Sequence, residues 1–162
     1  MEKKYAYVEC LLGNDVITEL KDLVAKVVTD DNFYYSDVIS RISGDVTAKA
    51  HLTLFYGLDE SEMNNSELKD YIKNIEIAEL QLNNFMLFDG YQNMYKVLCI
   101  EVDDSSQKLL AISRKLSQFK HEGDYEFKPH ITLAYVKADY VLPAETNPAI
   151  EPIPVKQIRL SI

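Results

Sequence analysis

The chain has 162 residues and carries 17 lysines and arginines against 26 aspartates and glutamates, a formal net charge of −9. Hydrophobic residues make up 47% and charged residues 27%, values typical of a globular protein that folds without metal or disulfide support. We therefore expect one domain over residues 1–162. The acidic balance argues against a protein that coats long nucleic acid, because such a protein must neutralise many phosphates. A small pocket that binds a single phosphate group is compatible with this negative net charge.

Neither the cysteines nor the apolar runs predict an extracellular or membrane protein. Cys10 and Cys99 lie in apolar stretches, and their number and spacing fit neither a disulfide framework nor a metal site. We expect buried free thiols in a reducing compartment. The N-terminus lacks the pattern of a signal peptide, and no apolar run is long enough to cross a bilayer. We therefore expect the protein to be located in the cytoplasm.

The first predicted element is a strand over Tyr5–Leu12, which ends at Gly13-Asn14. Its alternation places on one apolar face Ala6, Val8, Cys10 and Leu12. The other face carries Tyr5, Tyr7 and Glu9.

The remaining elements follow in chain order. Apolar residues at helical spacing predict helices over residues 15–29, 61–72 and 105–119, the second of them capped by Ser61 or Asn65. Strand formers predict strands over residues 50–56, 76–88, 95–102, 129–136 and 155–162. Residues 30–46 are predicted as a loop, and Asp89-Gly90 as the turn of a hairpin. Strand, helix and strand thus occur in both halves, which indicates one domain built from two similar lobes.

One internal repeat stands out when the halves are compared. Residues 49–56 are Lys-Ala-His-Leu-Thr-Leu-Phe-Tyr, and residues 128–135 are Lys-Pro-His-Ile-Thr-Leu-Ala-Tyr. Two of the three histidines in the chain occupy the same place in this repeat. Chance is a poor explanation for that agreement.

The spacing of the repeat defines two faces on each strand. Residues two apart share a face, so one face of the first copy carries Lys49, His51 and Thr53. The corresponding face of the second copy carries Lys128, His130 and Thr132. We expect the opposite faces to pack in the core, with Leu52, Leu54 and Tyr56 in one lobe and Ile131, Leu133 and Tyr135 in the other.

Two His-x-Thr rows that meet across a pseudo-two-fold axis have the groups that phosphodiester cleavage needs. Two imidazoles can act as general base and general acid, because histidine titrates near neutral pH. Two threonine hydroxyls can donate to the non-bridging oxygens, where charge develops in the transition state. This scheme needs no metal ion and no cofactor. Strand histidines are otherwise most often structural, and it is the repeat that favours catalysis here.

Paired His-x-Thr motifs 79 positions apart in a chain of this length resemble the 2H phosphoesterase superfamily. The superfamily includes RNA 2′,5′ ligase-like proteins, cyclic phosphodiesterases and phage anti-CBASS proteins, which degrade the cyclic oligonucleotide signals of antiviral defence. The resemblance implies a two-lobed α+β fold with antiparallel sheets around a central cleft. It also places the catalytic positions at His51, Thr53, His130 and Thr132.

The resemblance, the charge and the tyrosine content together favour a small nucleotide substrate. We expect a metal-independent phosphodiesterase, monomeric, acting on cyclic di- or oligonucleotides; for a viral protein this would occur in the host cytoplasm. A 2′,3′-cyclic phosphodiesterase or a 2′-5′ RNA-end processing enzyme is the alternative. A third hypothesis is that the protein sequesters a nucleotide without cleaving it. The two intact motifs disfavour this hypothesis.

Four further residues are candidates for substrate binding. Tyr5 and Tyr7 project from the polar face of the first strand, where a tyrosine either stacks on a base or packs at the surface or lobe edge. Lys49 and Lys128 either attract phosphate or are exposed strand-edge charges. We expect the third histidine, His121, to be exposed in a polar loop and unrelated to the chemistry.

Overall fold

The computed structural model describes residues 2–36, 44–124, 126–143, 148 and 150–162. Residues 37–43 of the predicted loop lie outside the described residues. The strands in the described ranges are β1 (Tyr5–Leu12), β2 (His51–Asp59), β3 (Glu79–Leu80), β4 (Leu82–Asp89), β5 (Tyr95–Val102), β6 (His130–Lys137) and β7 (Ile153–Ser161). The helices are α1 (Asn14–Val27), α2 (Ser66–Lys73) and α3 (Lys108–Leu116). The predicted α+β class is confirmed.

The start of α2 shows how a side chain fixes a helix boundary. The side-chain oxygen of Asn65 accepts hydrogen bonds from the amides of Glu67 and Leu68, which otherwise lack partners in the first turn. Of the two predicted caps, Asn65 is therefore the one that begins the α-helix. Ser61 lies instead in a 3₁₀ turn over Glu60–Asn64.

The described strands form one antiparallel sheet in the order β3-β7-β1-β2-β6-β5-β4. The two central strands, β2 and β6, carry the repeat and pair at Leu52 and Ile131. These two residues occupy the same position in the two copies, so the pairing lies on the pseudo-two-fold axis. The predicted two-lobed arrangement is confirmed, and its lobes share one open sheet.

Each motif strand contains a β-bulge at the same place in the repeat. The residue left unpaired is Leu54 on β2 and Leu133 on β6. One extra residue moves the side chains that follow it to the other face of the strand, and on β2 this holds as far as Gly57, where the register shifts a second time. The prediction that Tyr56 packs in the core is therefore wrong: its side chain is 53% exposed and lies beside the motif face. Tyr135 moves in the same way and is only half-buried, with its ring centroid 5.5 Å from that of Tyr95.

The prediction of one long strand over residues 76–88 is also wrong. The segment divides into β3, which pairs with β7, and β4, which pairs with β5 at the opposite edge of the sheet. Between them the carbonyl of Gln81 accepts a hydrogen bond of 2.7 Å from the amide of Asp103. Alternation of apolar and polar residues predicts extended backbone, but it does not tell which neighbouring strand each part joins.

The core lies on the sheet face opposite the motif histidines. Helices cover this face with residues that belong to one continuous apolar cluster, namely Val16, Leu20 and Val24 of α1, Leu68 and Ile72 of α2, and Leu109, Ile112 and Leu116 of α3. Leu52 and Ile131 are fully buried in the same cluster. Burial of these two side chains fixes which face of each central strand points away from the core.

The end of β2 is fastened to the segment that follows α3. Gly57 has a φ of +101°, and a β-carbon added to it would lie 2.7 Å from the carbonyl oxygen of Glu122. The carbonyl of Gly57 accepts a hydrogen bond from the amide of Glu122, and the amide of Asp59 donates to the carbonyl of Lys120. Only glycine permits both this conformation and this close approach.

We predict that Gly57→Ala destabilises the fold more than Gly123→Ala. Gly123 also has a positive φ, 82°, but no atom lies within 4 Å of an added β-carbon. The strained backbone costs about 1–2 kcal/mol in both variants, and the clash at Gly57 adds about 1–3 kcal/mol more. Equilibrium denaturation in urea measures both losses, and equal losses would contradict the close approach at Gly57.

Candidate active site

Two rows of polar side chains meet at the middle of the sheet. β2 begins at the first motif histidine and β6 at the second, and the antiparallel pairing sets each histidine across from the threonine of the other strand. We call this cluster the tetrad: His51, Thr53, His130 and Thr132. Each of the four is partly exposed, on the face opposite the buried Leu52 and Ile131. The structure thus brings together the four residues proposed for catalysis.

Each motif histidine makes a hydrogen bond of the same kind with the backbone. Nδ1 of His51 lies 2.8 Å from the carbonyl oxygen of Lys49, and Nδ1 of His130 lies 2.6 Å from that of Lys128. A carbonyl oxygen only accepts, so Nδ1 carries the hydrogen in each ring. Nε2 of the neutral ring then has its lone pair free. It is the nitrogen that can take up a proton and give it back.

An ion pair between a buried carboxylate and a half-exposed arginine lies beside His51. Glu9, which pairs with Thr53 on the neighbouring strand, is 4% exposed, and its Oε1 accepts a hydrogen bond of 2.7 Å from Nη2 of Arg159. Its Oε2 lies 3.7 Å from Nε2 of His51. These groups border a cavity of about 400 Å³, which we call the His51 cavity; it is also lined by Tyr7, Leu11, Lys49 and Lys156.

The surroundings of His130 are more apolar. A cavity of about 580 Å³, which we call the His130 cavity, is lined by Thr53, Tyr56, Phe88, Val97, Cys99, Glu126, Phe127, Lys128 and His130. The ring centroids of Phe88 and His130 are 5.4 Å apart. Sγ of Cys99 lies 3.8 Å from Oγ1 of Thr132, and burial raises the pKa of this thiol to about 12. A thiol with so high a pKa stays protonated at neutral pH and is a poor nucleophile.

The predicted binding residues divide between these two cavities, with one exception. Lys49 and Tyr7 line the His51 cavity, and Lys128 lines the His130 cavity, where its Nζ is 3.8 Å from a carboxylate oxygen of Glu126. Tyr5 lines neither cavity. Its hydroxyl donates a hydrogen bond of 2.6 Å to Glu122.

Tyr56 lines the His130 cavity, Tyr7 lines the His51 cavity, and their rings lie side by side. Their ring centroids are 6.1 Å apart at an interplanar angle of 29°. An unbulged strand alternates strictly, so the spacing of the repeat predicts Tyr56 on the core face. The bulge at Leu54 has no sequence signal of its own, which is why this residue was missed.

Other residues of the site come from strands remote in sequence. Arg159 and Phe88 reach it from β7 and β4, and Phe127 reaches it from the segment before β6. Glu9 carried a usable signal, since it shares a predicted face with Tyr7. Arg159 carried none, because nothing in the sequence states that β7 pairs with β1.

The third histidine differs from its predicted surroundings. His121 was expected to be exposed, but its side chain is 22% exposed, and its ring packs edge-on against Phe55 at 5.2 Å. Its Nδ1 lies 2.8 Å from the carbonyl of Phe119, as in the motif histidines. His121 lines a separate cavity of about 470 Å³ that contains none of the tetrad.

The described residues include neither a side-chain cluster suited to a metal ion nor a helix suited to a bilayer. They contain no group of three or more histidine, cysteine or acidic side chains placed to hold a metal ion. None of the helices in the described ranges is long and apolar enough to span a membrane.

Comparison with known proteins identifies the class. Residues 45–160 match the family model of the 2′-5′ RNA ligase superfamily, which covers most of the chain. The chain belongs to this superfamily, the 2H phosphoesterases, and it is a hydrolase of the phosphodiesterase type. A search of curated protein sequences found no match.

Solved structures show the same fold at low sequence identity. E. coli LigT complexed with 3′-AMP matches with a TM-score of 0.63 and 17% identity, over 98% of this chain and 87% of that one. E. coli LigT complexed with phosphate matches with a TM-score of 0.59 and 16% identity, over 99% and 84%. A structure described as a phosphoesterase matches with a TM-score of 0.56 and 15% identity, also over 99% and 84%.

We predict that the neutral forms of His51 and His130 are both the Nδ1–H tautomer, because a backbone carbonyl accepts from Nδ1 in each. Long-range ¹H–¹⁵N NMR spectra of the labelled protein, recorded at alkaline pH, distinguish a protonated from an unprotonated Nδ1. An Nε2–H tautomer at either residue would contradict the geometry that we assign to the pair.

Proposed function

We propose that the protein hydrolyses a small nucleotide phosphodiester without a metal ion, and that its substrates are cyclic di- or oligonucleotides of the kind used as antiviral signals. The tetrad is the observation that carries this proposal. It presents two histidines with free Nε2 atoms and two hydroxyls on one open face. Membership of the superfamily supports the reaction type.

The tetrad can divide the reaction between its members. One histidine removes a proton from the attacking hydroxyl, either water or a ribose 2′-OH, as the new bond to phosphorus forms. The other gives its proton to the bridging oxygen as the old bond breaks. The threonine hydroxyls donate to the non-bridging oxygens, where negative charge increases in the transition state. The two histidines end with their protonation states exchanged, and solvent restores them.

The unequal surroundings of the histidines support one assignment of these roles. The Glu9 carboxylate, 3.7 Å from Nε2 of His51, is a ready ion-pair partner for a protonated ring. Glu101 lies opposite His130 on β5, but among the described residues no carboxylate oxygen lies within 4 Å of a His130 ring nitrogen. We therefore assign proton donation to His51 and proton removal to His130.

Charge and cavity size support a compact substrate. With a net charge of −9 the protein repels a polyanion at long range, whereas a cavity lined by cations attracts one or two phosphates at short range. The two cavities, about 400 and 580 Å³, are of the size that small-molecule sites have. The aromatic side chains of the His130 cavity, Tyr56, Phe88 and Phe127, suit a nucleobase.

A second candidate function is the opening of a nucleotide 2′,3′-cyclic phosphate or the processing of 2′-5′ RNA ends. The match to the 2′-5′ RNA ligase superfamily favours it. It uses the same tetrad, so the two candidates differ in substrate and not in mechanism.

We predict that His51→Asn and His130→Asn each lower kcat by about 10²–10⁴-fold, the usual contribution of a general acid or base. Asparagine keeps a donor near the position of Nδ1 and lacks Nε2, so the local hydrogen bond is preserved while the chemistry is lost. His121→Asn is the matched control, because His121 makes the same Nδ1 contact outside the tetrad.

The assay follows products by chromatography, with a cyclic dinucleotide and a 2′,3′-cyclic mononucleotide offered in parallel and with EDTA present. Preferential turnover of the cyclic dinucleotide supports the first candidate, and the reverse supports the second. Near wild-type turnover by either motif variant, or loss of activity in EDTA, would refute the two-histidine mechanism. Recovery of both nucleotides unchanged after long incubation with wild-type protein would indicate sequestration.

A further inference from the structure

The pseudo-two-fold axis relates positions around the tetrad that carry very different side chains. The pairing registers make β1 and β7 of one lobe equivalent to β5 and β4 of the other. By these registers Glu9 corresponds to Cys99, Arg159 to Met86, and Ser161 to Phe88. The tetrad and its two lysines are thus duplicated, whereas the strands beside them are polar in one lobe and apolar in the other.

This difference gives the two cavities different charges. The His51 cavity is lined by Lys49, Lys156 and Arg159 against the single carboxylate of Glu9. Its fixed charge is positive even when the histidine is neutral. In the His130 cavity the cation Lys128 is 3.8 Å from the carboxylate of Glu126, so the fixed charges cancel.

Arg159 has hydrogen-bonding capacity left for a ligand. A guanidinium has five N–H donors, and the contact with Glu9 uses Nη2 alone. The Arg159 side chain is 50% exposed, whereas that of Glu9 is 5% exposed. The buried carboxylate therefore binds one edge of the guanidinium, and the remaining N–H donors stay accessible from the cavity. A planar donor group held in this way suits the paired oxygens of a phosphate.

We propose that the His51 cavity is a subsite for a second phosphate group of the substrate, one that flanks the phosphodiester being cleaved. Lys49, Lys156 and Arg159 bind this phosphate, and Glu9 is a positioning residue that holds Arg159. The nucleobase on the other side of the scissile phosphate occupies the aromatic His130 cavity. This inference rests on the proposed function for the place of the scissile phosphate, and it adds that the substrate carries at least two phosphates.

The test compares three linear dinucleotides: ApA, the same molecule with a 5′-phosphate, and the same molecule with a 3′-phosphate. We expect the wild-type protein to prefer one of the phosphorylated forms over ApA in kcat/KM by about tenfold or more, the value of one charge-assisted contact. Arg159→Met, which introduces the side chain of the equivalent position in β4, and Lys156→Gln should each reduce this preference severalfold.

Two features keep the test decisive. Lys156→Gln removes a charge without leaving Glu9 unpaired, so it remains informative if Arg159→Met fails to fold. Lys69→Gln, a neutralised lysine on the exposed face of α2 and outside both cavities, should keep the wild-type preference. An absence of preference in the wild type, or a preference that survives in both cavity variants, would overturn the subsite.

A binding measurement separates this inference from the proposed function. Calorimetry compares adenosine 3′,5′-bisphosphate with adenosine 3′-monophosphate on the wild type and on Lys156→Gln. Tighter binding of the bisphosphate that weakens in the variant supports the subsite even if none of the dinucleotides is cleaved, in which case the proposed function alone is refuted. Equal binding of the two ligands, together with normal cleavage, refutes the subsite alone.

Discussion

The pairing of β2 with β6 at Leu52 and Ile131 is the contact on which the site depends. Both side chains are fully buried, so each strand must present its histidine and threonine on the opposite face. A register shift of one residue on either strand would bury one half of the tetrad and expose a core side chain. The hydrophobic effect that stabilises the sheet therefore also fixes the positions of the groups available for chemistry.

The duplication around this contact extends to details of the backbone. Both motif strands bulge at the third residue after the histidine, and both histidines donate from Nδ1 to the carbonyl of the lysine two positions before. The bulge directs a tyrosine toward the open face, and the hydrogen bond leaves Nε2 available. The symmetry ends at the neighbouring strands, where the positions equivalent to Glu9 and Arg159 hold the apolar side chains of Cys99 and Met86. We propose that a duplicated tetrad with unequal neighbouring strands serves a substrate whose two ends differ.

Much of the fold and the four central residues were predictable because each rests on a local pattern. The limits of β1 and β5 follow from alternation and flanking turns, and the tetrad follows from a repeat that places two scarce histidines at one position. What was missed depends on contacts between distant parts of the chain. The division of residues 76–88, the flipped Tyr56 and the approach of Arg159 to Glu9 are set by strand pairing and a bulge. No local pattern encodes these.

The division of acid and base between the two histidines is tested most directly by a substrate in which sulfur replaces the bridging oxygen of the leaving group. A thiolate departs without protonation, so the need for a general acid disappears while the need for a general base remains. With His51 as the acid, His51→Asn should regain most of its lost rate on the sulfur substrate, and His130→Asn should remain slow on both substrates. Equal impairment of the two variants on both substrates would contradict a division of acid and base between the two histidines.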